Sequence, residues 1–140
     1  DRSDESYSTV DIVHLPFHAE HGFTIEEGEP FGPRDATWTY GEEDSQRFYA
    51  SFISGAQVLP NGNVMFCEGP LGRLTEVTRD GEIVWQFTAL DQGFWEGEES
   101  RFYSRYESGA QRLPNGNTLI TESATARLFE VTPEGETVWE

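Results

Sequence analysis

At 140 residues the chain has room for one ordinary domain, and its 36% apolar and 14% aromatic content is enough for a core. The net charge is -17, from 26 acidic residues against nine arginines and no lysine. A surface of that sign repels phosphate backbones and excludes nucleic acid as a natural partner, and no run approaches the ~18 apolar residues that cross a bilayer.

The chain begins without an initiator Met or a signal peptide and reads as a processed product or an excised piece. Residues 1–8 form an acidic N-terminal tail. Thr9–Phe17 is short and β-branched and reads as a strand. His18–Pro33 reads as loop, with a short strand at Phe23–Ile25. Thr37–Tyr40 alternates like a strand and carries Trp38.

From Ser54 the order becomes plain. Ser54-Gly55-Ala56-Gln57-Val58-Leu59-Pro60-Asn61-Gly62-Asn63 returns as Ser108-Gly109-Ala110-Gln111-Arg112-Leu113-Pro114-Asn115-Gly116-Asn117, 54 positions on. Laying Arg47–Gln86 over Arg101–Glu140 without a gap gives 22 identities in 40 positions. A period of this length marks a solenoid, a propeller or an array. Within each copy the expected strands are 55–59, 64–68, 73–78 and 83–87, then 118–122, 127–132 and 137–139. Asn-Gly supplies the positive φ that a tight hairpin needs, and Val64–Glu68 is apolar enough to be buried on both faces. No 3.6-residue apolar period is present, which excludes helical repeats. Four short antiparallel strands followed by a long crossing segment, residues 88–106, make a propeller blade. The fold class is all-β: a degenerate first blade at residues 9–40, then blades at 41–87 and 88–140. The aromatics Phe94, Trp95, Phe102, Tyr103 and Tyr106 of the crossing segment read as packing between neighbouring blades.

Polar residues that recur in each copy read as scaffold: Gln57 and Gln111, Glu68 and Glu122, Arg73 and Arg127, Glu76 and Glu130, Arg47 and Arg101. Trp38, Trp85 and Trp139 close the three units and read as blade-packing anchors. Chemistry is expected where the repeat breaks. His14, His18 and His21, with Glu20 beside them, are residue types that suit zinc or copper, although their spacing is no familiar zinc pattern and ordinary loop histidines fit the same string. Cys67 has no second cysteine to pair with and reads as a small buried strand residue. Carboxylate clusters at Glu42-Glu43-Asp44 and at Glu96, Glu98 and Glu99 make a divalent cation a candidate ligand, and no cofactor is expected. The plainer reading of the acidity is solubility.

The string Ser-Gly-Ala-Gln-x-Leu-Pro-Asn-Gly-Asn, followed by Arg73-Leu74-x-Glu76-Val77-Thr78 and Gly81-Glu82-x-Val84-Trp85, resembles the blade repeat of bacterial arylsulfotransferase-like β-propellers. The Trp85 ending is also similar to pyrroloquinoline-quinone-type propellers. The resemblance covers Arg47–Glu140 and implies a propeller of about six blades, in a protein exported to the periplasm or the outside. Sulfotransferases of that family use a transiently sulfated histidine. Ser54-Gly55 and Ser108-Gly109 stand where such residues would begin, so no catalytic residue carries over. Three blades cannot close a ring, and open blade edges pair with other chains. The expectation is an exported, non-catalytic structural module that associates with copies of itself, as a closed ring or a filament. Two alternatives stand beside it: a fragment of an arylsulfotransferase-like enzyme, and a carbohydrate- or cation-binding propeller.

Overall fold

The computed structural model describes residues 6–25, 27–29, 31–43, 46–51, 54–88, 108–123 and 126–140. They divide into two units, Asp1–Phe48 and Tyr49–Glu140, each described by itself. Among the described residues there is no α-helix; the structure is all-β, with four antiparallel sheets.

In the first unit, β1 (Val10–Ile12) pairs with β4 (Trp38–Tyr40), and β2 (Phe17–His18) pairs with β3 (Gly22–Phe23). The expected single strand over 9–17 is thus two pieces. Pro16 lies between them, and without an N–H it cannot extend a ladder. The unit therefore holds two two-stranded sheets rather than one four-stranded sheet. Its ends are tied by an antiparallel bridge, with Ser8 N–H donating to the Phe48 carbonyl at 2.8 Å. Gly41 makes that closure feasible. Its φ is +99°, and a Cβ there would strike the Ser8 carbonyl oxygen and meet the Phe48 ring.

The second unit contains two sheets of four strands. The first runs β5 (Ala56–Val58), β6 (Val64–Glu68), β7 (Arg73–Val77) and β8 (Ile83–Thr88) in spatial order. The second runs β9 (Ser108–Arg112), β10 (Thr118–Glu122), β11 (Arg127–Val131) and β12 (Thr137–Trp139). Each is a meander of sequential neighbours. The repeat preserves the register: Met65 faces Glu76 as Leu119 faces Glu130, and Glu76 faces Trp85 as Glu130 faces Trp139. Both sheets carry an irregularity at the same place, between Glu76 and Val77 and between Glu130 and Val131.

The hairpins take their positive φ from Asn-Gly as expected, at the second residue of the pair. Only the glycine is left-handed: Gly62 at +88° and Gly116 at +90°. Gly62 N–H donates to Leu59 O at 2.9 Å, and Leu59 N–H to Asn63 O at 2.8 Å. This is a three-residue loop, Pro60-Asn61-Gly62, that opens on proline and ends on a glycine at the bulge. The asparagine acts through its side chain instead. Asn61 Oδ1 accepts from Asn63 N–H, and Asn115 Oδ1 from Asn117 N–H, both at 3.0 Å. Thr78-Arg79-Asp80-Gly81-Glu82 and Thr132-Pro133-Glu134-Gly135-Glu136 repeat the same geometry between the third and fourth strands.

One apolar core lies between the two four-stranded sheets. Leu74 and Phe87 come from the first, and Ile120, Phe129 and Val131 from the second; Cys67, Trp85 and Ala110 pack at its edge. Alternation explains the choice. Cys67, Leu74, Glu76, Trp85 and Phe87 share one face of the first sheet by their cross-strand pairing. Burying side chains of this size contributes ~1.5–3 kcal/mol each. β6 is buried on both faces, as its composition predicts.

Candidate functional site

The most heavily built contact in the described structure is the seam between the two four-stranded sheets. It starts from the repeat's own turn. Glu76 on β7 lies beneath the Pro60–Asn63 turn. Its Oε1 accepts from Asn63 Nδ2 at 2.8 Å and from Asn61 Nδ2 at 3.2 Å. Glu130 does the same for Asn117 at 2.6 Å and Asn115 at 3.0 Å. One carboxylate oxygen per sheet is thereby committed to holding the turn. The other oxygen of Glu76, Oε2, accepts from Arg112 Nη2 across the seam at 2.6 Å. Arg112 and Glu76 are only 11% and 10% exposed, so the pair is largely out of water.

Arg112 makes two further contacts. Its Nη1 donates to Gly116 O at 3.0 Å, which fixes the guanidinium on its own turn. Its Cζ lies 4.4 Å from the centroid of the Trp85 ring, a cation–π arrangement. Trp85 completes the lock by donating from Nε1 to Pro133 O at 2.6 Å. A cleft of about 560 Å³ opens beside these groups, lined by Asn61, Glu76, Trp85, Arg112, Leu113 and Pro133. Arg112 therefore joins sheet to sheet, turn to strand and cation to ring. In the first sheet Val58 occupies its place, and the matching turn carbonyl, Gly62 O, is met by Arg79 Nε at 2.8 Å instead.

The other residues singled out by the sequence are placed as follows. Arg73 grips Glu68 with two bonds, Nε–H to Oε2 at 2.5 Å and Nη2–H to Oε1 at 2.6 Å, and Glu68 is fully buried. Arg127, its counterpart, donates to Glu140 at 2.7 and 2.8 Å, and its cross-strand neighbour Glu122 is fully buried. Position 86, the counterpart of 140, is Gln. Gln86 donates to Thr75 Oγ1 instead. Gln57 is half-buried and Gln111 exposed, each on the edge strand of its sheet. Trp38 stacks on Tyr40 at 6.2 Å in the first unit. Trp139 is 51% exposed.

His14, His18 and His21 are all exposed in the first unit. His18 and His21 flank the turn that joins β2 to β3, and their rings stack 5.4 Å apart. His21 Nε2 lies 3.9 Å from Glu20 Oε2, with both side chains in solvent. Among the described residues no group of three or more His, Cys, Asp or Glu side chains is gathered to hold a metal ion. Burial pushes the Cys67 thiol up from its ordinary range, opposed in part by backbone hydrogen bonding at Gly55 and reinforced by the Glu68 charge. A thiol held in that state is a poor nucleophile. Asp44, the cluster at Glu96, Glu98 and Glu99, Arg101 and the aromatics of residues 94–106 lie outside the described residues.

Arg112 and Pro133 were the members of the seam that reasoning from recurrence passes over. A signal for Arg112 was present: residues 54–63 and 108–117 differ at a single position, Val58 against Arg112.

No family model matches this chain, and no curated protein or solved structure matches it either. The fold and the seam define an all-β repeat protein whose most elaborate chemistry joins one sheet to the next.

Proposed function

We propose that this chain is a propeller-type repeat protein that acts as a structural interaction module, associating with further blades, copies of itself included, through faces its own fold leaves open. The observation that carries this reading is a contrast between equivalent positions. Leu74 is 4% exposed and its counterpart Leu128 39%. Trp85 is part-buried against Pro133, and its counterpart Trp139 is 51% exposed. The same face of the same repeat is covered in one sheet and bare in the other. An apolar face with a tryptophan and a carboxylate at its rim is built to be covered. The acidic surface keeps such a module dispersed except where the faces meet.

Light scattering with electron microscopy of the same sample tests the reading. Rings or filaments that grow with protein concentration are expected. A monodisperse single chain at high concentration overturns it.

A further inference from the structure

The seam also specifies what covers the bare face. We propose that the outer face of the second sheet, Leu128, Glu130 and Trp139, is a docking site for a further four-stranded sheet of this repeat that carries an arginine on its first strand where β9 carries Arg112. The inference rests on the function proposed above and narrows it to one kind of mate.

The two four-stranded sheets are copies of each other, so what covers the first shows what fits the second. In the first sheet, the face bearing Leu74, Glu76 and Trp85 receives three things from the second: the apolar side chains Ile120, Phe129 and Val131, the Arg112 guanidinium, and the Pro133 carbonyl. The second sheet presents the same acceptors in the same register. Trp139 sits opposite Glu130 as Trp85 sits opposite Glu76. Glu130 Oε1 is occupied by Asn115 and Asn117, as Glu76 Oε1 is by Asn61 and Asn63. Among the described residues no donor reaches Glu130 Oε2 and no acceptor meets Trp139 Nε1, the two atoms that Arg112 and Pro133 satisfy on the first sheet. Charge decides the rest. A carboxylate brought into an apolar seam without a cation is costly, so the mate must bring one.

This chemistry discriminates among mates. The first sheet of a second copy is a poor one. Val58 stands at its arginine position, and Val64, Phe66, Thr75 and Val77, the counterparts of the residues that receive the first sheet, are already buried within their own chain. A sheet following the β9–β12 pattern supplies every group.

The test extends the full chain by a further copy of residues 89–140 after Glu140, so that the appended sheet offers an arginine, a turn carbonyl and the apolar face together. Acrylamide quenching is read on the extended and unextended chains, each with and without Trp139→Phe to isolate that ring. A severalfold fall in the quenching of Trp139 is expected on extension, reversed by Arg112→Ala in the appended copy alone. Trp139 as quenchable after extension as before overturns the proposal, as does an appended sheet that adds no β signal by circular dichroism. The arms separate the two claims. A single-chain wild type whose Trp139 is buried on extension removes self-association and keeps the docking chemistry. A self-assembling wild type whose Trp139 ignores the appended sheet does the reverse.

Discussion

Arg112→Met should be among the most damaging single changes in the second unit. The substitution keeps the aliphatic stem and deletes the cation. It leaves Glu76 Oε2 without its partner in a site where the two side chains are 11% and 10% exposed. Breaking one side of a buried pair costs ~3–5 kcal/mol. Asn61 and Asn63 still hold Oε1, which favours the low end, about 3 kcal/mol. Loss of the guanidinium over Trp85 adds ~1 kcal/mol. Urea unfolding reads the change directly. With a slope of about 1–3 kcal/mol/M, a total of about 4 kcal/mol should lower the midpoint by roughly 1–4 M. The double variant Arg112→Met, Glu76→Gln should regain about 2 kcal/mol of the sum of the two single losses, because the buried charge is then gone. A loss below ~1 kcal/mol, the range of exposed pairs, or strictly additive single effects would refute the claim that the seam is an electrostatic lock.

Three further outcomes follow from the same reasoning. Thr118 is fully buried, its hydroxyl has no partner among the described residues, and the first copy has Val64 at that position; Thr118→Val should raise stability by ~1–2 kcal/mol in thermal or urea unfolding. Gly41→Ala forces a side chain into a left-handed position against Ser8 and Phe48; it should cost ~1–3 kcal/mol and accelerate amide exchange at Ser8, and unchanged exchange counts against the bridge. Cys67 should alkylate far more slowly in the folded chain than in urea at pH 8. Because its folded pKa lies above the unfolded value, the stability it contributes is complete below the thiol's ordinary range and is lost as pH rises through the folded value. Cys67→Ala should therefore flatten the alkaline fall in stability.

Much of this architecture is legible in the residues because the chain states it twice. Glycine and proline punctuate the strands, and the all-apolar run at Val64–Phe66 announces a strand buried on both faces. The degenerate first unit resists reading for the opposite reason. It has no second copy to compare with, and Pro16 cuts its one strand-like run in two. The turn chemistry was half legible. Asn-Gly marks a hairpin, but whether asparagine contributes its backbone or its side chain depends on Glu76 and Glu130, 13 to 15 residues away. The seam was obscured by the rule that served best elsewhere. Recurrence identifies scaffold, and Arg112 does not recur. An arginine that appears once inside an otherwise identical decamer is where one copy reaches across to the other. Arg127 makes the same point. Its neighbours repeat, yet a single Glu for Gln at 140 gives it a carboxylate to grip there.

The central claim is that one face of this repeat is covered on the first sheet and open for cover on the second. Hydroxyl-radical footprinting of the full chain, alone and extended by a further copy of residues 89–140, resolved to Trp85 and Trp139 by mass spectrometry, tests it most directly. The account predicts that Trp85 is protected in both, while Trp139 is modified in the unextended chain and becomes protected when the further sheet follows it. Equal modification of the two tryptophans in the unextended chain, or a Trp139 that reacts alike with and without the extension, would contradict it.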